Sequence, residues 1–435
     1  MVHQIRKTST ASASAASSTI SPMSCVFPSR KFLVSRSGLM ALTGVIVGSL
    51  SACGSHLPPR GDGGAPIAQA PWPSSSPPVP DGPSLLRAKA RWVQAGWSDL
   101  PGWQADRLGQ WWPALVKGCG KPAAGWHKLC DEARRLGPDW GERVGDDFVR
   151  QWVETQLQPW RVTSLDGQAT GLLTGYFEPL LEGRRTPDAR FAWPLHRPPA
   201  GLGQRKPFFS RAELESTPEG RAAIAGREVV WLADPLDVLL IQVQGSGRVR
   251  LLDELTPQGA PKVVRLAFAG HNDQPYQSVA RWLVDQGAFT LEQASWPAIR
   301  TWAQANPARV GEMMAANPRV VFFREEALTD PASGPNGAQG VPLTPGRSIA
   351  VDRDSVPLGT PVWLDSTMPQ TWVAGGLPPP SPLRRLAMAQ DTGGAILGAV
   401  RADFFWGWGD EALAQAGRTK QPLAMWVLWP RGSQP

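Results

Sequence analysis

Tyrosine is nearly missing from this chain: 2 residues in 435, against 13 phenylalanines and 21 tryptophans. Acidic side chains are absent from residues 1–52, which hold Arg6, Lys7, Arg30, Lys31 and Arg36. That asymmetry accounts for most of the formal charge of +7. Beyond it, 39 Lys and Arg face 37 Asp and Glu. Such a balance excludes the basic stripe that nucleic-acid phosphates require. There is no Gly-rich phosphate loop, no Ser-His-Asp order and no Cys–His cluster of structural-metal type, so no metal or cofactor is expected. Asp391-Thr392-Gly393 has no second apolar-Asp-Thr/Ser-Gly copy, which excludes an aspartic protease, whose two carboxylates share one proton. No internal repeat of solenoid spacing is found. The longest apolar run, Gly38–Leu50, is too short to span a membrane comfortably as a permanent helix.

What is present there reads as export. Arg30, Lys31 and Arg36 form a basic region, Gly38–Leu50 the apolar one, and Leu50-Ser51-Ala52-Cys53 matches a bacterial lipobox. Cys53 is therefore expected to be lipidated after cleavage, and Cys25 to be lost with the signal. Gly54 follows rather than Asp, so an inner-membrane retention signal is lacking. The Ser/Ala-rich residues before Met23 read as an overlong start or a disordered extension. Residues 53–83 are rich in Pro, Gly and Ser and predict a semi-extended tether. Of the remaining cysteines, Cys119 and Cys130 in an exported protein point to a disulfide. His127 beside them suggests zinc only weakly.

Apolar periodicity predicts helices over Leu108–Val116, Trp126–Leu136 and Phe148–Leu157, within a helical stretch spanning 84–158. Asp146 and Asp147 suit the N-terminal end of the last. Strands are predicted at Ala169–Pro179, Arg190–Leu195, Glu228–Leu232 and Val263–Ala269. Val238–Gln244 and Arg248–Leu252 read as a hairpin around Gly245-Ser246-Gly247. Ser210 and Glu213 form a capping box. Further helices are expected at Ser278–Gln286, Leu291–Ala305, Ala308–Ala315 and Asp410–Arg418. Further strands are expected at Arg319–Arg324, Ser348–Asp352, Pro361–Leu364, Leu386–Gln390, Ala395–Val400 and Leu423–Leu428. The tryptophans are expected mostly in the core, some offering flat faces to sugar rings.

The chain organises itself around 388–409. Asp391 ends an apolar strand, and Gly393 and Gly394 then form a floor on which a ligand can lie close. A partly buried carboxyl there has a raised pKa open to it, as a general acid for sugar chemistry needs. Taken locally, Asp391 also reads as a turn cap.

Several blocks occur in one order: Leu172–Pro179 (LLTGYFEP), Ile241–Gly247 (IQVQGSG), Phe268–Tyr276 (FAGHNDQPY), Asn317–Phe323 (NPRVVFF), Val351–Thr360 (VDRDSVPLGT) and the stretch around Asp391. With them the chain resembles the lytic murein transglycosylase A family over roughly residues 84–430. The resemblance implies an α+β, mainly β fold. A double-psi β-barrel is expected from residues 84–179 and 343–435, the latter a 3D region holding the catalytic aspartate. A smaller β-rich domain is inserted at 180–342, with the glycan groove between the two. It implies cleavage of the N-acetylmuramic acid β-1,4 N-acetylglucosamine bond without water, the muramyl C6 hydroxyl attacking C1 to give a 1,6-anhydro ring. Asp391 occupies the family's catalytic position, as acid and then base. Asp352 and Asp403 match two further aspartates, read as supports that could raise the pKa of Asp391 by like charge. Glu178 is expected to line the groove. Thr174, Tyr176, Gln244, Ser246 and Gly247 are expected to give sugar rings hydrogen bonds and close backbone approach. The implied partner is peptidoglycan, met by a monomer, lipid-anchored in the outer membrane and facing the periplasm, with cell-wall synthesis proteins as further candidate partners. A non-catalytic glycan-binding lipoprotein and a hydrolytic glycosidase on the same barrel remain the alternatives.

Overall fold

The computed structural model describes residues 78–291, 293–328, 330–370 and 379–433. Cys25, Cys53, the export segment and most of the tether lie outside them. Fifteen strands are described. β1 (Ser84–Leu86), β2 (Arg91–Gln94), β3 (Leu157–Thr163) and β4 (Gly171–Glu178) come first. β5 (Leu180–Arg184), β6 (Trp193–His196), β7 (Glu228–Leu232), β8 (Gly247–Leu255), β9 (Pro261–His271) and β10 (Val321–Ala327) follow. β11 (Ser348–Val351), β12 (Thr360–Thr367), β13 (Pro382–Asp391), β14 (Arg401–Trp408) and β15 (Lys420–Pro430) complete the set.

β4 and β11 to β15 close on themselves. The order β15-β12-β13-β11-β14-β4 ends where it began, because β4 also pairs with β15. Two of these contacts are parallel, β11 with β13 and β14 with β4; the others are antiparallel. This closed mixed sheet is the double-psi barrel, and closure pairs each of its six strands on both sides. Near-continuous apolar runs such as Leu423–Trp429 suit strands buried on both faces. β1, β2 and β3 extend the sheet beside β15. The second lobe is a six-stranded sheet in the order β10-β9-β8-β5-β7-β6.

Helices Trp112–Gly118, His127–Leu136, Trp140–Val144 and Asp146–Gln156 pack on the barrel. Cys119 and Cys130 are joined, with Cα atoms 5.0 Å apart. The first of these helices touches β13 directly: the carbonyl of Ala114 accepts from Gln390 Nε2 at 3.0 Å. Arg347, at the entry to β11, makes a buried bidentate pair with Asp106 at 2.8 and 3.0 Å. Among the described residues nine tryptophans are buried in the core, with Trp92, Trp111, Trp112, Trp126, Trp363 and Trp426 fully so.

Three expectations are corrected. Val238–Gln244 is not half of a hairpin but part of the helix Pro235–Gln244. Asp234 caps it by accepting from the Leu236 N–H at 2.8 Å, and Pro235 occupies its first turn. Leu236, Val238, Leu239, Leu240 and Ile241 are all buried, so the run shows neither alternation nor an amphipathic stripe. Ala395–Val400 is not a strand: Gly398 has φ 119°, and its N–H goes to Asp352 rather than to a ladder. The 84–158 stretch is not helical throughout, since it opens with β1 and β2. The capping box at Ser210 and Glu213 is present.

Candidate active site

The barrel register brings the carboxylates together. Ala350 of β11 pairs with Asp391 of β13 on one side and with Asp403 of β14 on the other. Asp403 pairs in turn with Thr174 of β4. Residues in register share a face of the sheet, so Asp391, Ala350, Asp403 and Thr174 form one row across four strands. Ala350, the smallest of them, stands between the two acids. Tyr176, two residues beyond Thr174, returns to the same face.

Asp391 is half-buried at the end of β13. Its Oδ2 accepts from the Tyr176 hydroxyl at 3.1 Å, and its Oδ1 from the backbone N–H groups of Ala338 and Thr392, both at 2.9 Å. Burial raises its pKa above the usual carboxylate range, while those three donors pull it back. No cation pairs with it among the described residues. The Tyr176 hydroxyl is pushed well up, by burial first and then by the charges of Asp391 and Asp403, so it remains a donor. Tyr176 packs on Phe405, its partner in register, at 5.2 Å between ring centroids.

Asp403 accepts from Thr174 Oγ at 2.5 Å, and Arg401 donates to that same Thr174 oxygen at 2.9 Å. Burial lifts the Asp403 carboxyl to about 6, with Asp391 adding to the rise. The like-charge effect expected on Asp391 thus acts on Asp403; burial dominates at Asp391. Asp352 behaves in the opposite way. Burial alone would raise it, but the N–H groups of Gly398 (2.8 Å) and Asp354 (3.1 Å) and the Lys89 ammonium (3.2 Å) hold it low and ionised. It ties the loop after Asp391 to the end of β11.

Other expected residues have different neighbours. Glu178 is fully buried, and both of its oxygens are taken by Arg248 (2.7 Å) and Arg265 (2.6 Å). It does not line a groove; it is the hub of an ion-paired joint between β4 of the barrel and β8 and β9 of the second lobe. Arg248 also lies 4.0 Å over the Trp408 ring. Gln244 Oε1 accepts from the Phe177 N–H at 3.0 Å, so that oxygen serves the joint as well. Ser246 and Gly247 are buried. A Cβ on Gly247 would meet Ile241 at 2.5 Å, so the close approach it permits is to the protein's own helix. Gly393 is half-buried and Gly394 exposed, beside Asp391. Two groups at the site escaped sequence reasoning: the Ala338 N–H, from the segment returning to the barrel, and Arg319 of the second lobe, whose Nη1 would lie 2.6 Å from a Cβ on Gly394. A backbone donor leaves no mark in composition. Arg319 was legible only as an arginine within the Asn317–Phe323 block.

A half-buried carboxyl with a raised pKa, met by three neutral donors at the end of a barrel strand, has the chemistry of the acid–base groups of glycan-cleaving enzymes. Comparison with known proteins agrees with this class. Residues 172–324 match the MltA specific insert domain and residues 347–429 the 3D domain. The membrane-bound lytic murein transglycosylases A of Vibrio cholerae and Escherichia coli K12 are 33% and 31% identical. Those matches cover 60% and 66% of this chain, and 66% and 73% of the relatives' lengths. Among solved structures, the lytic transglycosylase LtgG of Burkholderia pseudomallei is 43% identical, with TM-score 0.52, covering 80% of this chain and 98% of that one. E. coli MltA with bound chitohexaose is 26% identical, with TM-score 0.60, covering 74% and 90%. The chain belongs to the membrane-bound lytic murein transglycosylase A family.

Proposed function

We propose that this protein cleaves the β-1,4 bond between N-acetylmuramic acid and N-acetylglucosamine in peptidoglycan without water, with Asp391 as the single acid and base. Protonated Asp391 gives its proton to the glycosidic oxygen as the C1–O4 bond breaks. The muramyl O6 then forms a bond to C1, and its proton passes to the Asp391 carboxylate, restoring the acid. No water is consumed, and the product ends in a 1,6-anhydro ring. The observation that carries this reading is the neutral surroundings of Asp391. Burial keeps the proton available, while Tyr176, Ala338 N–H and Thr392 N–H steady the carboxylate formed midway.

Asp403 and Thr174 continue the binding row, Gln244 Nε2 has no hydrogen-bond partner among the described residues, and Gly393 and Gly394 form the floor. The domain division follows the two sheets: 84–179 with 343–435 as barrel, 180–342 as insert, preceded by a signal (1–52) and a tether (53–83). We read the protein as a monomer lipidated at Cys53 and anchored in the outer membrane, facing the periplasm, where cell-wall synthesis complexes work. A hydrolytic reading has one observation behind it: Asp403 offers a second carboxyl in the same row as Asp391. Mass spectrometry of the muropeptides released from purified sacculi separates the two. Anhydromuramyl ends are expected; reducing ends would mean hydrolysis.

A further inference from the structure

Arg319 leads into β10 in the second lobe, yet its guanidinium lies against Gly394, three residues past Asp391 on the barrel. A side chain at position 394 would collide with it: a Cβ there would lie 2.6 Å from Nη1. Arg319 is held from behind, its Nε donating to the Gln274 carbonyl at 2.8 Å. Gln274 belongs to the stretch that Asn272 pins, by donating to the carbonyls of Phe209 and Pro318. The arginine is therefore fixed at its base while Nη1 and Nη2 have no acceptor among the described residues.

This differs from the other arginines that organise the molecule. Arg248 and Arg265 share Glu178, Arg347 holds Asp106, Arg185 holds Glu254 and Glu325, and Arg300 holds Asp234 and Asp237. Arg319 has no carboxylate within ion-pairing distance among the described residues. The neighbouring His271 is depressed by burial and by the Arg319 charge, so it does not share the cationic role. A braced guanidinium with its fork open is suited to a planar carboxylate, which it grips by two parallel hydrogen bonds. Arg319 meets the loop at Gly394, three residues past the acid, on the stretch read as the floor beneath the reacting sugar.

We propose that Arg319 is a specificity-determining residue that binds a carboxylate carried by the muramyl unit at the cleavage point. The proposal rests on the reading of Asp391 as the reacting acid of a murein transglycosylase. Two parts of the substrate can supply that group: the lactyl carboxylate, free when the stem peptide is absent, or the carboxylates of the peptide itself. A chitin-like ring has neither, so Arg319 separates muramyl strands from neutral glycans of the same shape.

The test compares the wild type with Arg319→Gln and Arg319→Lys on three glycans: peptide-bearing strands, strands stripped of peptide by an amidase, and stripped strands whose lactyl carboxylates are blocked as methylamides. Formation of anhydromuramyl ends is followed as kcat/KM. Arg319→Gln is expected to lose about tenfold to a hundredfold on carboxylate-bearing strands, the range of a charge-assisted hydrogen bond, and to match the wild type on blocked strands. Arg319→Lys should recover part of the loss, having the charge without the fork. Loss confined to peptide-bearing strands assigns the peptide carboxylate; loss on stripped strands assigns the lactyl one. An equal loss on all three glycans, or none on any, overturns the proposal. A wild type that makes no anhydro ends from any strand overturns the underlying reading of Asp391 instead.

Discussion

Asp391 and Asp403 pair in register with the same residue, Ala350, from opposite sides of β11. Their backbones are therefore two strand spacings apart, about 9.5 Å. They share a face, and both carboxyls are raised by burial, Asp403 to about 6. Yet their partners differ. Asp391 receives three neutral donors, whereas Asp403 is held by Thr174 next to the Arg401 guanidinium. The arrangement sets a carboxyl met by neutral groups beside one linked through Thr174 to a cation.

Tyr176 stabilises the ionised form of Asp391, so Tyr176→Phe should raise the Asp391 pKa further. The high-pH limb of the kcat/KM profile, where the acid loses its proton, should move upward. At the optimum the loss should stay below about a hundredfold, the lower end of a full general-acid contribution. A limb that moves downward would contradict the assigned hydrogen bond.

Asp403 gives a pH signature in stability. Its carboxyl is near 6 in the folded chain against an ordinary 3.8, so the native state binds the proton more tightly than the unfolded state. Between those values stability falls as pH rises, and above about 6 the cost is fully present. Asp403→Asn removes that ionisation. The stability of the variant relative to wild type should therefore be greater at pH 8 than at pH 4, as measured by denaturant unfolding. A difference that does not change with pH would contradict the raised value.

Glu178 tests the joint between the lobes. Glu178→Ala would leave the Arg248 and Arg265 guanidiniums facing each other without their shared carboxylate. Removing one partner of a buried ion pair costs about 3–5 kcal/mol, so a clear fall in unfolding free energy is expected. Were Glu178 a sugar contact instead, KM would rise while unfolding stayed unchanged.

The Cys119–Cys130 bridge closes a short loop, a separation of 11 residues, so its contribution is at most about 3 kcal/mol. The double Cys→Ser variant should melt several degrees lower and release the same products. Its helix meets β13 through Ala114 and Gln390 rather than through Asp391 itself. A change of product chemistry would show that the bridge shapes the site.

How legible this was from sequence depended on the kind of contact. Asp391 stood out because its whole setting, strand, acid and glycines, is contiguous. Thr174 and Tyr176 were found as residues, but their pairing with Asp403 and Asp391 depends on β4 lying parallel to β14, a non-local contact with no local signature. Glu178 was misread because a carboxylate next to a binding block looks the same in sequence whether it faces sugar or two buried arginines. The helix Pro235–Gln244 was misread because an evenly apolar run has no period; the Asp234-Pro235 cap was the overlooked signal. Arg319 and the Ala338 N–H reach the site only after the second lobe and its return segment fold against the barrel.

Asp391→Asn on purified sacculi, with released muropeptides measured by mass spectrometry, decides whether Asp391 is the single acid and base. The variant keeps the shape and can still accept from Tyr176, but its amide cannot cycle a proton. A folded protein that binds glycan and releases essentially no 1,6-anhydromuropeptides is expected. Retention of more than about a hundredth of wild-type activity, more than loss of a general acid normally leaves, would contradict it.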